Sequence, residues 1–196
     1  MPHLLTVAGS LRAGSSNATL LAAVAHVAPA DLTVAQYRGL ASLPAFNPDR
    51  EEAAARLPSA VRRWRATLAA ADMLLISTPE YAHGIPGALK NALDWVVGSG
   101  ELVGKAVGVI NPSAASRFAF PQLIEVLTVM SANVVPAATV VLDVPRRGLD
   151  AVQLAADPMV GAPLREVLAA LLAALPSRAG FEVPSEPYRR GHESSR

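Results

Sequence analysis

The sequence predicts an α/β fold: a doubly wound, five-stranded parallel sheet in the order 2-1-3-4-5, with helices on both faces. Two observations carry this expectation. Short apolar runs alternate with longer Ala- and Leu-rich stretches along the 196 residues, and strands that alternate with helices imply right-handed crossovers and a parallel sheet. The clearest run, Met73 to Ser77, is apolar at successive positions, as a strand covered from both sides requires.

The elements follow in order. Leu4 to Ala8 is a short apolar run ending at Gly9 and reads as a buried strand. Asn17, a favoured cap residue, opens a helical stretch to about Val27. Leu32 to Tyr37 reads as the second strand, followed by a Pro-bearing loop from Leu43 to Asp49. Arg50 to Leu57 and Ala60 to Ala71 have helical composition, interrupted by Pro58. Met73 to Ser77 is the third strand, with a helix from about Ala88 to Val97 behind its loop. Ala106 to Ile110 is the fourth strand and Pro121 to Met130 the next helix. Val134 to Leu142 is the fifth strand, interrupted by Pro136. A loop rich in Gly, Asp and Pro then leads to a last helix, Leu164 to Leu175. From Pro176 onward Pro, Ser, Glu and Arg dominate and little remains to bury, which predicts one folded domain over 1–175 and a disordered tail over 176–196.

Composition narrows the function. The formal net charge is +1 and only Lys90 and Lys105 are lysines, so no broad field recruits nucleic acid or an anionic membrane. The late apolar run Val167 to Leu175 falls far short of the roughly 20 residues a membrane helix needs. No cysteine is present, which removes disulfide and thiolate chemistry. The start of the chain enters a strand-like run without a charged, cleavable leader, so a soluble cytoplasmic protein is expected. His3, His26, His83 and His192 share no metal-ligand spacing. No GxSxG elbow supports serine hydrolysis. Trp64 lies among Arg62, Arg63 and Arg65 and reads as part of a solvated helix face, while Lys90, Asp94 and Trp95 read as helix packing or a subunit interface.

Two loops carry the candidate chemistry. Gly9-Ser10-Leu11-Arg12-Ala13-Gly14-Ser15-Ser16-Asn17 lies between the first strand and first helix. Ligands of such sheets bind beyond the carboxyl ends of strands, where a helix N-terminus offers free N–H groups. Ser10, Ser15, Ser16 and Asn17 supply donors and Arg12 a forked cation that suits phosphate, although an ordinary Ser/Gly turn feeding a cap uses the same residues. The second loop, Thr78-Pro79-Glu80-Tyr81-Ala82-His83-Gly84, follows the third strand. In the predicted order the first and third strands are neighbours, so both loops face one crevice. A flat heteroaromatic ring there would be held by backbone groups and flanked by Tyr81; a Pro/Gly loop with a packing tyrosine is the plainer account.

These residues resemble the NADPH-dependent FMN reductase family. The resemblance runs through Gly9-Ser10-Leu11-Arg12 with Ser15 and Asn17, then Leu43-Pro44 with Phe46-Asn47-Pro48-Asp49. Its longest stretch is Ala71 to Tyr81, continuing from Gly84 to Trp95. It spans roughly Leu4 to Val140 and implies a flavodoxin-like fold, non-covalent FMN, and a homodimer or homotetramer. By that resemblance Ser10, Arg12, Ser15 and Asn17 hold the phosphate, and Pro79, Glu80, Tyr81 and Gly84 line the ring and ribityl side. Two departures stand out. Many relatives have Asn where this chain has Ala82. Relatives often carry a Gly-rich loop after the fourth strand, where this chain has Asn111-Pro112-Ser113-Ala114-Ala115-Ser116-Arg117-Phe118; Ser113 and Arg117 remain as donors.

The expected function is therefore ping-pong hydride transfer from NADPH or NADH through FMN to a small-molecule electron acceptor: a quinone, flavin, azo compound or chromate. The flavin carries the chemistry, so no residue is assigned as catalytic acid, base or nucleophile. A flavodoxin-type electron carrier and a cofactor-poor interaction module stay open as alternatives.

Overall fold

The computed structural model describes residues 1–52, 57–144 and 148–176. Five strands, β1 (His3–Ala8), β2 (Thr33–Tyr37), β3 (Met73–Ser77), β4 (Ala106–Asn111) and β5 (Asn133–Val141), form a parallel sheet in the order β2-β1-β3-β4-β5. That is the order the alternation predicts. The helices are α1 (Ser16–Val27), α2 (Pro48–Glu52), α3 (Ser59–Ala70), α4 (Gly87–Val97), α5 (Ala119–Val129), α6 (Ala151–Ala156) and α7 (Pro158–Ala173).

The period of two along each strand divides the core. Leu5, Leu74, Ile76 and Val109 pack against Trp64 and Leu68 of α3, Leu93 of α4 and Leu123 of α5. Their chain neighbours Leu4, Met73, Leu75 and Ile110 pack on the other face against Leu20 and Val24 of α1 and Leu164 and Val167 of α7. Each fully buried aliphatic side chain contributes about 1.5–3 kcal/mol relative to exposure. The same burial fixes strand register, because a one-residue slip would exchange the two faces.

Several expectations need correction. Ser15, not Asn17, caps α1: its Oγ accepts the Ala18 N–H at 3.4 Å. Both residue types cap well, and tertiary structure chooses, since the Asn17 side chain is buried and bonded elsewhere. Trp64 is not on a solvated face. It is 1% exposed, its Nε1–H donates to the Ala92 carbonyl at 2.8 Å, and its ring lies 4.5 Å from Tyr37. The flanking arginines obscured a helix whose inward stripe is Val61, Trp64 and Leu68.

The segment read as a long loop before Leu164 contains α6 and the first turns of α7. Asp150 and Gln153 form a reciprocal capping box, and Asp157 caps α7 with Pro158 next to it. Pro163 lies inside α7. It removes one backbone bond, yet Val160, Leu164, Val167 and Leu171 are buried and hold the helix to the sheet. The Pro136 interruption in β5 is an irregularity: Val107 pairs Val134 and Val109 pairs Thr139, so the residues between bulge away from β4. The expected tail lies outside the described residues from residue 177 onward. Among the described residues no helix is long and apolar enough to cross a membrane.

Candidate functional site

The carboxyl ends of β1, β3 and β4 meet at one edge of the sheet. Ala8 pairs with Ser77, and the Gly9 N–H donates to the Ser77 carbonyl at 2.9 Å, so the first two loops leave the sheet side by side. Gly9 makes that approach possible. A Cβ on it would lie 2.2 Å from Thr78 Oγ1 and 2.8 Å from Thr78 Cβ. Among the described residues the buried polar side chains are Thr6, Ser15, Asn17, Ser77, Thr78 and Asn111. All but Thr6 lie at this edge. Buried polar groups are costly unless bonded, and their concentration here marks the edge as different from the rest of the core.

A cleft of about 410 Å³ opens between them. Ser16 and Asn17 form one end, Thr78, Pro79 and Glu80 one wall, and Asn111, Ser113 and Ser116 the other, with Asp143 and Val144 beyond β5. At the α1 end, first-turn N–H groups have no acceptor within the helix, and the helix dipole favours an anion there. The Asn17 Oδ1 accepts the Ser77 hydroxyl at 2.8 Å, which leaves its amide NH₂ as a donor at the cleft.

Glu80 joins the two walls. Its Oε2 accepts the Phe118 N–H at 2.7 Å, the Ala119 N–H at 2.9 Å and the Ser116 hydroxyl at 3.1 Å. A carboxylate thus caps α5 from a different loop, where Phe118 itself offers no capping side chain. The Ala119 and Phe118 N–H groups, helped by Ser116 and the charge of His83, hold the Glu80 carboxyl below its ordinary value of 4.5 against the opposing effect of burial. A depressed folded-state value contributes stability above the unfolded value and loses it as pH falls through the folded one. Glu80→Gln is therefore expected to lower the denaturation midpoint at pH 7, with the gap to the parent closing below pH 4.5. Urea melts at several pH values check this; a gap that persists unchanged in acid would assign the loss to shape.

Asn111 organises the glycine-free loop after β4. Its Oδ1 accepts the Ser113 N–H at 3.2 Å and its Nδ2 donates to the Ser116 carbonyl at 3.0 Å. This Asx turn replaces glycine as the device that folds the loop back. Ser113 lines the cleft, while Arg117 is exposed outside it.

Past Glu80 the chain makes a two-residue hairpin. Tyr81 and Gly84 exchange both backbone hydrogen bonds at 3.0 Å, and Ala82 and His83 have φ of 48° and 58°. Such a turn favours Asn-Gly, and an alanine held there costs about 1–2 kcal/mol. Ala82→Asn is expected to stabilise the protein by about 0.5–1 kcal/mol, read from urea midpoints, because Asn tolerates the left-handed region. At the hairpin tip the His83 ring stacks on Phe118 at 4.3 Å. The Tyr81 hydroxyl lies 3.3 Å from Ser10 Oγ, which closes the hairpin over the first loop.

The residues singled out by sequence distribute unevenly. Ser16, Asn17, Pro79, Glu80 and Ser113 line the cleft. Ser15 is a buried cap beneath it, and Tyr81, Ala82, His83 and Gly84 form the hairpin at its side. Ser10 and Arg12 line a separate hollow toward β2. Thr78, Asn111, Ser116 and Asp143 also line the cleft and were not singled out. The available signal was position: each follows or ends a strand at the carboxyl edge.

Comparison with known proteins agrees with the fold. The model of a family described as NADPH-dependent FMN reductase matches residues 2–145. A 2-hydroxy-1,4-benzoquinone reductase of Burkholderia sp. is 37% identical over 122 residues, covering 57% of this chain and 64% of the relative. An NAD(P)H-dependent FMN reductase of Pseudomonas aeruginosa is 35% identical over 113 residues, covering 57% of this chain and 60% of the relative. The chain thus spans less than two thirds of the length of these relatives. Among solved structures, a flavoenzyme NAD(P)H:(acceptor) oxidoreductase from Paracoccus denitrificans superposes with a TM-score of 0.67 at 23% identity, over 89% of this chain and 97% of that one. At that identity the likeness is one of fold.

Proposed function

Because the chain belongs to the NADPH-dependent FMN reductase family, we propose that it is an FMN-dependent NAD(P)H oxidoreductase that reduces a small acceptor such as a quinone, flavin, azo compound or chromate. The observation that carries this reading is the convergence of buried polar groups from three strand ends on one cleft beside a helix N-terminus. The cleft volume, about 410 Å³, lies in the range of small-molecule sites.

The residues present fit flavin mononucleotide. The first-turn N–H groups of α1 and the Asn17 amide suit its phosphate, with Ser10, Arg12, Ser15 and Ser16 in the same loop and turn. Pro79, Glu80, Tyr81, Ala82, His83, Gly84 and Ser113 supply the walls for its ring and ribityl chain. FMN, when bound, accepts hydride from a reduced nicotinamide and delivers reducing equivalents to the acceptor. The protein's own part is to bind, orient and exclude water. Glu80 fixes the wall formed by the loop after β4. Gly9 keeps the two principal loops in contact.

One opening serves both substrates in turn, which is a ping-pong order. Exposed Leu11, Tyr81 and Phe118 on the loops that frame the cleft support a homodimer or homotetramer in which a second copy covers them. A cytoplasmic location suits a dinucleotide-dependent enzyme. The test is to titrate the purified chain with FMN by flavin fluorescence, then follow NADPH and NADH oxidation with and without a benzoquinone. Saturable FMN binding with acceptor-dependent oxidation is expected. A chain that binds no flavin ends this reading, and one that binds flavin without oxidising nicotinamide is an electron carrier.

A further inference from the structure

Ser77 ends β3 at a position where the pattern of the strand calls for an aliphatic side chain. Met73 and Leu75 precede it and pack toward α1 and α7, and the period of two puts Ser77 on the same face. It is fully buried, paired with Ala8 of β1 and Ile110 of β4. A hydroxyl at that depth costs free energy unless it is bonded. Its partner is the buried Asn17 in the first turn of α1: the Ser77 hydroxyl donates to Asn17 Oδ1 at 2.8 Å. Asn17 lines the cleft, and Ser77 lies beneath it without lining it.

The direction of that bond decides which end of the Asn17 amide meets the cleft. Asparagine carries an acceptor oxygen and a donor NH₂ on one planar group. With Oδ1 turned to Ser77, Nδ2 is left for the cleft. Reversing the amide would put the oxygen there instead. It would also make the Ser77 hydroxyl an acceptor and strand its hydrogen in a fully buried place. In the same turn, Ser15 Oγ accepts the Ala18 N–H and the Ser15 carbonyl accepts the Thr19 N–H, which leaves the Ser16 and Asn17 N–H groups as the turn's donors. An anion at this turn therefore meets donors alone only while the amide keeps its orientation. We infer that Ser77 is a positioning residue, which holds the Asn17 amide with its NH₂ toward the flavin phosphate and so adds to the preference for FMN over riboflavin. This rests on the oxidoreductase reading above. Without the hydroxyl, Asn17 Oδ1 finds a partner only by turning to water in the cleft. Binding a phosphate then has to turn it back against a wall that offers no donor.

The experiment titrates FMN and riboflavin, by flavin fluorescence, into the full chain, Ser77→Ala, Asn17→Ala and the double variant. Riboflavin has the same ring and ribityl chain without the phosphate, so the ratio of the two dissociation constants reads the phosphate site. Ser77→Ala is expected to weaken FMN binding roughly 10-fold, the cost of leaving one buried acceptor unpaired. Riboflavin binding moves less than about twofold, because no bond to that ligand depends on the amide. In the Asn17→Ala background the same substitution leaves the ratio unchanged, since its effect passes through Asn17. Ser77→Cys, close in size but a weaker donor, falls between the parent and Ser77→Ala. Equal weakening of both flavins, or a ratio that still shifts in the Asn17→Ala background, assigns Ser77 to packing and overturns the inference. An unchanged ratio in Ser77→Ala does the same. A parent chain that binds FMN no better than riboflavin overturns it while the reductase reading stands; one that binds neither flavin ends both.

Discussion

Gly9→Ala is expected to cost about 3 kcal/mol of stability and to abolish saturable FMN binding, because the added methyl has nowhere to go. Overpacking a core costs about 1–3 kcal/mol, and this site lies at the upper end. A rotation of Thr78 would move the hydroxyl that lies 2.2 Å from the new carbon, but Thr78 Cβ would remain at 2.8 Å and Leu89 Cδ2 at 3.0 Å. The backbone of one loop has to retreat. Retreat breaks the Gly9 N–H bond to the Ser77 carbonyl and separates the two loops whose contact forms the cleft. Urea denaturation and an FMN titration on the same preparation read both losses. A stable variant with parental FMN affinity would show that the loops need not touch.

Trp95→Ala is expected to destabilise by about 3–5 kcal/mol, the range for truncating a buried aromatic, without a specific effect on the cleft. Trp95 is fully buried. Its Nε1–H donates to the Pro44 carbonyl at 2.8 Å, its ring meets Phe46 edge-on at 5.1 Å, and Asn91 holds the same loop through the Pro44 carbonyl and the Phe46 N–H. Two stretches that resemble the reductase family, Leu43 to Asp49 and Lys90 to Trp95, therefore meet as a structural joint between a loop and α4. The variant should melt early yet keep its FMN affinity while folded. Early melting together with lost affinity in the folded range would place Trp95 in the site's support.

Much of the fold was legible because burial on both faces leaves a plain mark. Runs such as Met73 to Ser77 can only be central strands of a covered sheet, and their alternation with helices restricts the topology. Elements set by capping against local breakers were harder. Asp150 with Gln153 and Asp157 with Pro158 start α6 and α7, but the prolines and glycine around them look like loop. The burial of Trp64 is hidden in the sequence because the charge of its neighbours says nothing of the inward stripe spaced three and four residues apart.

The sequence by itself determined the buried strands, their alternation with helices and the two candidate loops, since these depend on local hydrophobic period and on glycine, proline and serine at loop positions. The strand order fits that alternation, and the structure establishes it. Only the tertiary structure decided what each side chain in those loops does. Glu80 accepts the N–H of Phe118, 38 positions further along the chain, and so caps α5, and Asn17 bonds Ser77 across the crevice. A hydrogen bond between loops depends on distances between segments remote in the chain, and those distances exist only once the two cores have closed on the sheet.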